Sequence, residues 1–505
     1  MTAAASAVLL SAAFQAQALK REQRATWMSA YVADWPSSPI TVNNAELLKT
    51  ICQNNLDSLQ RNNFTTIYYH ARTMCDAMYD SKYEPWSSYV SGTRGVAPAF
   101  DPMAYLVENA HKRGIEVYAW MNPYRYINST YSTGWGNAGG DKNYENSHPD
   151  WLIKWEKDGR TWTILNPALP EVKQRIIDVT IDLISKYDVD GVVFDDYFYQ
   201  NGLPASYDAA DYAKYTAAGG TMSQLDWRRE NVNDMVRQLY AAIKAAKPWV
   251  RFGISPFGVW RNKSVDPRGS ETNALQCYDA LYADVLKWTE KGWVDYMVPQ
   301  LYWELDHKRA PGRVLNPWWN DHANGRHMYI GQSVETTMRT PDPDSNDPNE
   351  LNHKIRISRA LPNVQGNCWW PGYSITRNSH GVCDSLATRQ QSTIALVPAY
   401  TWIDNIAPDE VSKLKVKNAN GVKSLQWQAP ATTDPMQVAK AFVVYRFDAG
   451  ADINLNDAKA IVAVTPHTHY AIPADTPRGK YVYVVTTLDR VNNESATGTT
   501  VKVKL

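Results

Sequence analysis

Short apolar segments alternate with longer amphipathic segments between residues 24 and 406. In the longer segments apolar residues recur every three or four positions, which predicts helices, and the short apolar runs between them predict strands. The eight predicted strands are Ala25–Val32, Thr65–Ala71, Glu116–Asn122, Gly191–Asp195, Arg251–Ser255, Tyr296–Gln300, Met328–Gly331 and Gln365–Trp369.

Helices are predicted between these strands, and several carry end signals. Asp101 before Pro102 is an N-cap followed by proline at the first helical position. Gly114 follows two basic residues, as is typical just past a helix end. An alternation of eight strands with helices predicts an α/β fold, a (β/α)8 TIM barrel over residues 24–406. The predicted helices include Asn44–Arg61, Pro102–Arg113, Pro170–Tyr187, Trp227–Ala246 and Tyr278–Lys291.

After Ile406 the pattern changes to short strands with period-two alternation. Seven such strands over residues 411–505 predict a small all-β domain, a sandwich of the immunoglobulin-like or fibronectin type III kind, with Trp427 and Tyr445 in its core. Two roles stay open for this domain: it positions the barrel on a polymer or packs against it, or it is a passive spacer. The clearest strands are Lys423–Gln428, Ala441–Phe447 and Lys480–Thr487.

Residues 1–18 are small and apolar, and Ala16-Gln17-Ala18 has the form of a signal-peptidase site. No basic residue precedes the apolar run, so we expect translation to start further upstream. The run is too short to cross a bilayer, and no transmembrane segment is predicted elsewhere. We therefore expect export and release, to the periplasm or the cell envelope.

Composition narrows the class of ligand in two ways. Lys plus Arg and Asp plus Glu are balanced at 52 each, which argues against nucleic acid as the partner. The chain has 20 Trp and 30 Tyr against 9 Phe. Rings with a polar edge are typical of clefts that bind sugars, whereas packing alone favours Phe. The aromatic content therefore favours a carbohydrate ligand.

The five cysteines, Cys52, Cys75, Cys277, Cys368 and Cys383, show no metal-binding spacing. No metal and no other cofactor is therefore predicted. An odd number leaves at least one thiol free, and a bridge between Cys368 and Cys383 stays open.

A TIM barrel places its active site at the carboxyl ends of its strands. In this sequence those ends carry carboxylate, amide, guanidinium and aromatic groups, the mixture expected of a sugar cleft. The predicted substrate-binding residues are Arg72, Asp76, Trp120, Asn122, Tyr124, Arg125, Tyr197, Trp260, Arg261, Asn262, Gln300, Tyr302, Trp303 and Trp370.

Glycoside hydrolysis needs a protonated acid and a second carboxylate opposite it. Asp195 and Asp196 are the best candidates because they follow a buried strand. Side chains alternate along a strand, so Asp195, in phase with Val193, is predicted to face the cleft. Asp196 is either the second catalytic group or a residue that orients a nearby arginine, and a purely structural salt bridge is the alternative. Glu304 is the predicted acid partner, with Asp76 next.

Two histidines near these strand ends, His70 and His111, are interpreted as structural because they lie on or beside regular elements. A metal-dependent amide or ester hydrolase would need several histidine and carboxylate ligands at the strand ends. Only His70 is available there, so this class is disfavoured.

Motifs at the strand ends resemble those of a bacterial family, the YngK-type glycosyl-hydrolase-like family ten. The matching motifs run in order over about residues 24–370. They include Arg24-Ala25-Thr26-Trp27, Asp76-Ala77-Met78-Tyr79, Ala119-Trp120-Met121-Asn122-Pro123-Tyr124-Arg125, Asp195-Asp196-Tyr197-Phe198-Tyr199, Ser255-Pro256-Phe257-Gly258-Val259-Trp260-Arg261-Asn262 and Pro299-Gln300-Leu301-Tyr302-Trp303.

The resemblance implies a TIM-barrel glycosidase of the bacterial envelope, with peptidoglycan glycan strands stripped of their stem peptides as the substrate of at least some members. It also implies that Asp195 and Asp196 form the catalytic centre, whereas Glu304 is outside the family pattern. The fourth strand is also similar to the chitinase motif of glycoside hydrolase family 18. Tyr197 stands where that motif has its catalytic Glu, so a chitinase mechanism is not supported.

Two hypotheses follow for the cleft. The first is a glycosidase that cleaves a cell-wall or other N-acetylated polysaccharide. The alternative is a glycan-binding protein of the envelope that keeps the cleft without catalysis, because the strand-four Glu is missing.

Overall fold

A computed structural model describes residues 18–127, 138–157, 159–419 and 421–505. Apart from its last residue, the signal-peptide-like segment 1–18 lies outside the described residues. Within these ranges, no helix combines the length and the apolar character needed to span a bilayer.

Eight parallel strands close into a barrel, and each pairs with its neighbours in sequence order. The first and last strands complete the ring, with Ala25 opposite Cys368. All eight predicted strands are present, and the TIM-barrel prediction is confirmed. The strands are β1 (Gln23–Met28), β2 (Thr66–Arg72), β3 (Glu116–Met121), β4 (Gly191–Asp195), β5 (Arg251–Ser255), β6 (Tyr296–Met297), β7 (His327–Ser333) and β8 (Val364–Trp370).

Helices surround the barrel between the strands. As predicted, the Asp101 carboxylate caps the second main helix by accepting from the Ala104 N–H at 3.0 Å. The continuous helix predicted for Tyr278–Lys291 is wrong, because Tyr282 has a φ of +56° and Asp284 begins a new helix. The main helices are α1 (Ala45–Arg61), α2 (Pro102–His111), α3 (Pro170–Lys186), α4 (Gln224–Ala246), α5 (Val285–Glu290), α6 (Gly312–Asp321) and α7 (Leu351–Ala360). Shorter α-helices are Ser88–Ser91, Tyr144–Ser147, Ala209–Ala217, Cys277–Ala280, Val334–Arg339, Gly372–Thr376 and Val382–Ser385.

A three-stranded antiparallel sheet stands between β3 and α3, and it was not predicted. Its strands are Arg125–Ile127, Leu152–Lys157 and Arg160–Leu165. The sequence does carry a signal for the last two strands, because apolar and polar residues alternate on both sides of Asp158-Gly159, a common hairpin turn. This sheet places Arg125 at the rim of the barrel.

Large tyrosines, together with a few aliphatic residues, fill the barrel interior. Tyr68, Tyr118 and Tyr296 are fully buried in one cluster inside the ring. Glycines on the neighbouring strands leave room for them. A Cβ on Gly191 would lie 2.5 Å from the Tyr118 ring, and one on Gly253 would lie 2.3 Å from the Tyr296 ring. The residues at the carboxyl ends of the strands lie above this tyrosine layer.

The C-terminal domain contains seven antiparallel strands in sheets of three and four, which confirms the prediction of an all-β domain. Trp427 lies in its core, as predicted. Tyr445 is buried on the opposite face of its sheet, against Leu396, because the inward positions of that strand are Phe442 and Val444. The strands are β9 (Ser412–Ala419), β10 (Val422–Gln428), β11 (Ala441–Asp448), β12 (Ile461–Thr465), β13 (His469–Ala471), β14 (Lys480–Leu488) and β15 (Thr499–Lys504).

The loop between β14 and β15 closes the amino-terminal mouth of the barrel. Val491 is fully buried in the same cluster as the interior tyrosines. The Arg490 carbonyl accepts a hydrogen bond of 2.9 Å from Arg251, and the Asn492 amide donates to Glu116 Oε1 at 3.0 Å. The C-terminal domain therefore packs against the barrel, and the passive-spacer role is excluded.

Charges of the barrel floor are neutralised across this junction. Lys440 of the C-terminal domain forms ion pairs with Glu116 and, at 2.7 Å, with Asp190 Oδ1. Glu116 also pairs with Arg251 at 2.6 Å. His111 Nε2 lies 2.9 Å from Asp190 Oδ2, in agreement with its structural interpretation.

Replacing Lys440 by Met tests this junction. The change leaves two buried carboxylates without a shared cation, and breaking a buried pair typically costs 3–5 kcal/mol. Since both carboxylates keep other partners, we expect a loss of about 3 kcal/mol in the free energy of unfolding, measured by urea denaturation. Lys459→Met is the control because Lys459 is exposed on the same domain. An equal, small effect of both substitutions would contradict the proposed role of Lys440.

Candidate active site

A cleft of about 180 Å³ opens at the carboxyl ends of the barrel strands. Seven of the predicted site residues line it: Trp120, Arg125, Asp195, Tyr197, Gln300, Tyr302 and Trp370. Five further residues complete the wall: Trp27, Tyr31, Val32, His70 and Ser255.

Asp195 lies at the centre of this cleft. Val193 is part of the cluster inside the barrel, whereas Val192 and Phe194 pack outward against the helices. The alternation therefore turns Asp195 inward, as predicted. Its carboxylate accepts hydrogen bonds from Trp120 Nε1 at 3.1 Å, Gln300 Nε2 at 2.8 Å and the Asp196 N–H at 2.8 Å.

Asp195 and Asp196 are neighbouring carboxyl groups, and the Asp196 N–H donates to Asp195 Oδ1. Burial raises the pKa of Asp195, although the Asp196 N–H and the Arg125 charge oppose this rise. Burial and the adjacent Asp195 charge raise the pKa of Asp196 well above its ordinary value. Two neighbouring carboxylates cannot both ionise easily. The pair therefore retains one proton to a higher pH than an isolated Asp would.

A guanidinium group borders the pair. The Arg125 Cζ atom lies 3.4 Å from the centre of the Tyr197 ring, a close cation–π contact. Burial and the Asp195 charge raise the pKa of the Tyr197 hydroxyl, so this phenol stays protonated. Tyr197 thus holds Arg125 at the rim, beside the carboxyl pair.

His70, which was interpreted as structural from sequence, stands in the cleft wall. Its ring stacks on Trp120 with 3.6 Å between centroids and 8° between planes. Its Nδ1 lies 2.8 Å from Ser29 Oγ. Burial lowers the pKa of His70 well below its ordinary value, the Arg125 charge lowers it further, and the Arg72 carbonyl opposes this. The imidazole is therefore neutral.

Aromatic rings build the remaining walls. The Trp27 and Trp120 centroids are 4.9 Å apart at 69°, and those of Trp120 and Trp370 are 6.0 Å apart at 87°. Flat indole faces with polar edges suit pyranose rings. The cleft thus combines a carboxyl pair with surfaces that fit a sugar.

Four residues predicted at the ends of β2 and β3 lie away from the cleft. Arg72 is buried in an ion pair with Glu84 at 2.6 Å. A register shift between His70 and Arg72 turns Arg72 out of the barrel interior, although simple alternation would keep it inside. The other three are buried in loops: Asp76 accepts from Thr73 Oγ1 at 2.6 Å, Asn122 donates to the Thr73 carbonyl at 2.9 Å, and Tyr124 is fully buried.

Four predicted residues after β5 and β6 pack the outer loops instead. Trp260 is 1% exposed and stacks on Trp318 at 6.1 Å, so it offers no platform to a sugar. The other three are held in the same way: Arg261 pairs with Asp279 at 2.9 Å, Asn262 donates to the Ala274 carbonyl at 2.9 Å, and Trp303 packs on Phe257 at 5.4 Å.

Glu304 lies in a separate depression with Asp306, Pro341 and Glu350. It is not among the residues that line the cleft of Asp195. The chain turns after Tyr302, and this turn carries Glu304 away from the barrel axis. The structure therefore does not bring Glu304 to Asp195 as the acid partner.

Some cleft residues were missed, and a signal existed for part of them. Trp27 is in phase with Ala25 on β1, so inward alternation would have found it. Tyr31 and Val32 were predicted as strand, but they form a short 3-10 turn, Ala30–Val32, at the cleft edge.

The cysteines and candidate metal ligands add no chemistry to the cleft. All five cysteines are buried free thiols, so Cys368 and Cys383 are not bridged. Within the described ranges, no three His, Cys, Asp or Glu side chains converge as a metal site would require.

The chain is similar to several known proteins. The family described as glycosyl hydrolase-like 10 matches residues 22–349. The chain is 34% identical to glycosyl hydrolase YngK of Bacillus subtilis (strain 168) over 501 residues, which covers 96% of this chain and 94% of that relative. It is 34% identical to glycosyl hydrolase DigH of Escherichia coli (strain K12) over 379 residues, 69% of this chain and 83% of that relative.

A solved structure shares the fold. The glycoside hydrolase domain of PgaB (BpsB) from Bordetella bronchiseptica superposes with a TM-score of 0.50 and 12% identity, over 75% of this chain and 100% of that domain. At this identity the likeness concerns the fold alone.

The pH dependence of activity tests the carboxyl pair. An acid with a raised pKa stays protonated to higher pH, and its activity is lost as pH rises through that pKa. In Asp196→Asn the amide donates to Asp195 and the like charge is gone, so we expect the alkaline limb of kcat/KM to move to lower pH.

The control is Asp34→Asn, because burial raises the pKa of Asp34 to about 7 outside the cleft lining. We expect its alkaline limb to stay in place. If the alkaline limb moves in Asp34→Asn and stays in place in Asp196→Asn, the titrating group is Asp34 and the prediction for the Asp195–Asp196 pair is wrong.

Proposed function

This chain belongs to the glycosyl hydrolase-like 10 family and is a glycosidase, and from that premise we propose that it cleaves peptidoglycan glycan strands that lack stem peptides. The observation that carries the proposal is Asp195, which three hydrogen bonds hold in an aromatic cleft beside Asp196, where burial raises the pKa of both carboxyl groups.

The pair is suited to general acid catalysis. Asp195 is the member that lines the cleft, and three hydrogen bonds fix its carboxyl group. We propose that Asp195 delivers the shared proton to the glycosidic oxygen while the bond from that oxygen to the anomeric carbon breaks. Such proton transfer typically contributes 10²–10⁴-fold in rate.

A second carboxylate to act as nucleophile or base is not among the described residues that line the cleft. Some glycosidases without such a residue use the substrate's own 2-acetamido group. Its carbonyl oxygen bonds to the anomeric carbon as the leaving group takes the proton. Water then attacks that carbon and opens the ring so formed, and its proton returns to the carboxyl pair. This course favours an N-acetylated glycan and predicts retention of configuration.

Arg125 favours strands without peptides. Removing the stem peptide exposes a lactyl carboxylate on every second sugar, and the guanidinium beside Asp195 provides a matching cation. With the peptide attached, that carboxyl group is an amide and carries no charge. The family resemblance, which includes hydrolases of such stripped strands, supports the same substrate.

The expected location is the periplasm or the cell envelope. The signal-peptide-like residues 1–18 and the location of the proposed polymer support this proposal.

Incubation with peptide-free peptidoglycan tests the activity directly. We expect wild type to release new reducing ends and Asp195→Asn to lose roughly 10³-fold in rate, since the acid is removed. Strands that still carry peptides serve as the comparison. Absence of new ends with wild type would overturn the proposal.

The role of Arg125 is tested by Arg125→Gln on two substrates. On peptide-free peptidoglycan we expect kcat/KM to fall roughly 10-fold to 100-fold, as for loss of a charge-assisted hydrogen bond. On an N-acetylglucosamine oligomer, which has no lactyl carboxylate, the same variant should change much less. Equal losses on both substrates would show that Arg125 acts on the carboxyl pair alone.

A further inference from the structure

We infer that the side-chain oxygen of Gln300 accepts the N–H of the substrate's 2-acetamido group, so that Gln300 selects an N-acetylated sugar at the bond that is cleaved. The inference rests on the proposed function and deepens it, because it assigns one atom of the cleft to one group of the substrate. Gln300 follows β6 and lines the cleft.

The backbone of Gln300 is fixed between the ends of neighbouring strands. Its N–H donates to the Pro256 carbonyl after β5 at 3.0 Å, and the N–H of Leu301 donates to the Gly331 carbonyl of β7 at 2.9 Å. A Cβ on Gly258 would lie 2.5 Å from the Gln300 carbonyl oxygen, so the loop after β5 packs directly against this backbone. The side chain of Gln300 therefore starts from a fixed position at the barrel rim.

Two neighbouring residues fix the orientation of the Gln300 amide group. Its Nε2 donates to Asp195 Oδ1 at 2.8 Å and lies 3.1 Å from the Ser255 carbonyl oxygen. A carbonyl oxygen can only accept a hydrogen bond, so the amide nitrogen, and not the amide oxygen, must face Ser255. The oxygen Oε1 therefore occupies the other position of the amide group, where neither Asp195 nor Ser255 contacts it.

The Oε1 atom of Gln300 is open to a ligand. Within the part of the chain that the structure describes, it accepts no hydrogen bond. It is also not one of the unpaired polar atoms that the fold encloses, because Gln300 is partly exposed and lines the cleft. The cleft thus presents an accessible acceptor that has no protein partner among these residues.

This acceptor lies beside the proposed acid. Oε1 is only two covalent bonds away from the nitrogen that donates to Asp195. In the substrate, the glycosidic oxygen is attached to the anomeric carbon and the acetamido nitrogen to the next carbon of the ring. The ring oxygen, on the other side of the anomeric carbon, has no hydrogen to donate. When Asp195 meets the glycosidic oxygen, the acetamido N–H is therefore the neighbouring donor of the same sugar.

The chemistry of Oε1 suits an N–H donor and leaves the nucleophile free. An amide oxygen only accepts hydrogen bonds, and the nitrogen of an acetamido group only donates. Sugar hydroxyl groups do both, and the phenol of Tyr302 in the same cleft can pair with them equally well. A hydrogen bond to the acetamido N–H uses neither lone pair of the acetamido carbonyl oxygen. Gln300 thus orients the group while its carbonyl oxygen stays free to bond to the anomeric carbon.

The test measures binding in the Asp195→Asn variant, which stops turnover and keeps Oδ1 as the acceptor for Gln300. Titration calorimetry compares two oligomers of the same length. One is an N-acetylglucosamine oligomer, and in the other a CH2 group replaces each acetamido N–H while the carbonyl group stays. We expect the acetamido oligomer to bind roughly 5-fold to 50-fold more tightly, because the other leaves Oε1 unpaired.

Substitutions at position 300 assign this preference to Gln300. Gln300→Met keeps the length of the side chain and removes both amide atoms, so in the same background we expect nearly equal affinity for the two oligomers. Gln300→Glu keeps an oxygen at the Oε1 position and should retain most of the preference. Gln332→Met is the matched control, because the Gln332 amide donates to Asn367 outside the cleft lining. It should bind both oligomers like the parent.

Equal affinity of the parent for the two oligomers, no binding of the acetamido oligomer, or an undiminished preference in Gln300→Met would overturn the inference. Thermal unfolding of each variant identifies a folding defect. If Gln300→Met is defective, Gln300→Asn, whose amide oxygen stops one carbon short, takes its place and should lose the preference. Failure of wild type to cleave any glycan would overturn the proposed function instead, so the two results are separable.

Discussion

The tyrosine rings inside the barrel determine where the cleft residues stand. Tyr118 and Tyr296 occupy the space that side chains on Gly191 and Gly253 would need. Because side chains alternate along β4, Gly191, Val193 and Asp195 all face the barrel interior, and Asp195 lies at the end of the strand. The carboxyl group therefore lies just beyond this layer, where Trp120 of the same cluster and Gln300 donate hydrogen bonds to Asp195.

The acidic residues at the two ends of β4 lie in opposite electrostatic environments. Burial opposes ionisation of Asp190, but Lys440 and His111 outweigh it and hold the pKa of Asp190 well below its usual range. At the other end burial dominates, and the pKa values of Asp195 and Asp196 are raised. The C-terminal domain supplies Lys440, so it keeps the floor ionised and closed, whereas the carboxyl pair at the cleft retains a proton to higher pH. Its contribution to the enzyme is thus structural closure of the barrel.

Periodicity was sufficient to predict the barrel, the all-β domain and the inward direction of Asp195, since each depends on local pattern. It failed where the chain departs from regular geometry. The register shift after His70 turned Arg72 toward Glu84, and the turn after Tyr302 carried Glu304 elsewhere. The position of His70 in the cleft wall was not predicted, because the stacking of its ring on Trp120 and its bond to Ser29 join separate parts of the chain. Contacts between strands of this kind are not encoded in the spacing along any one of them.

The proposed catalysis depends on a proton that the Asp195–Asp196 pair retains to higher pH than an isolated Asp would. Infrared difference spectroscopy of the wild-type protein against Asp195→Asn, recorded over a pH series, observes this proton directly through the carbonyl stretch of a protonated carboxyl group. We expect a carboxylic acid band that persists to higher pH than the band of a free Asp side chain and that is lost with the substitution. A band that titrates like that of a free Asp side chain would be the contrary result.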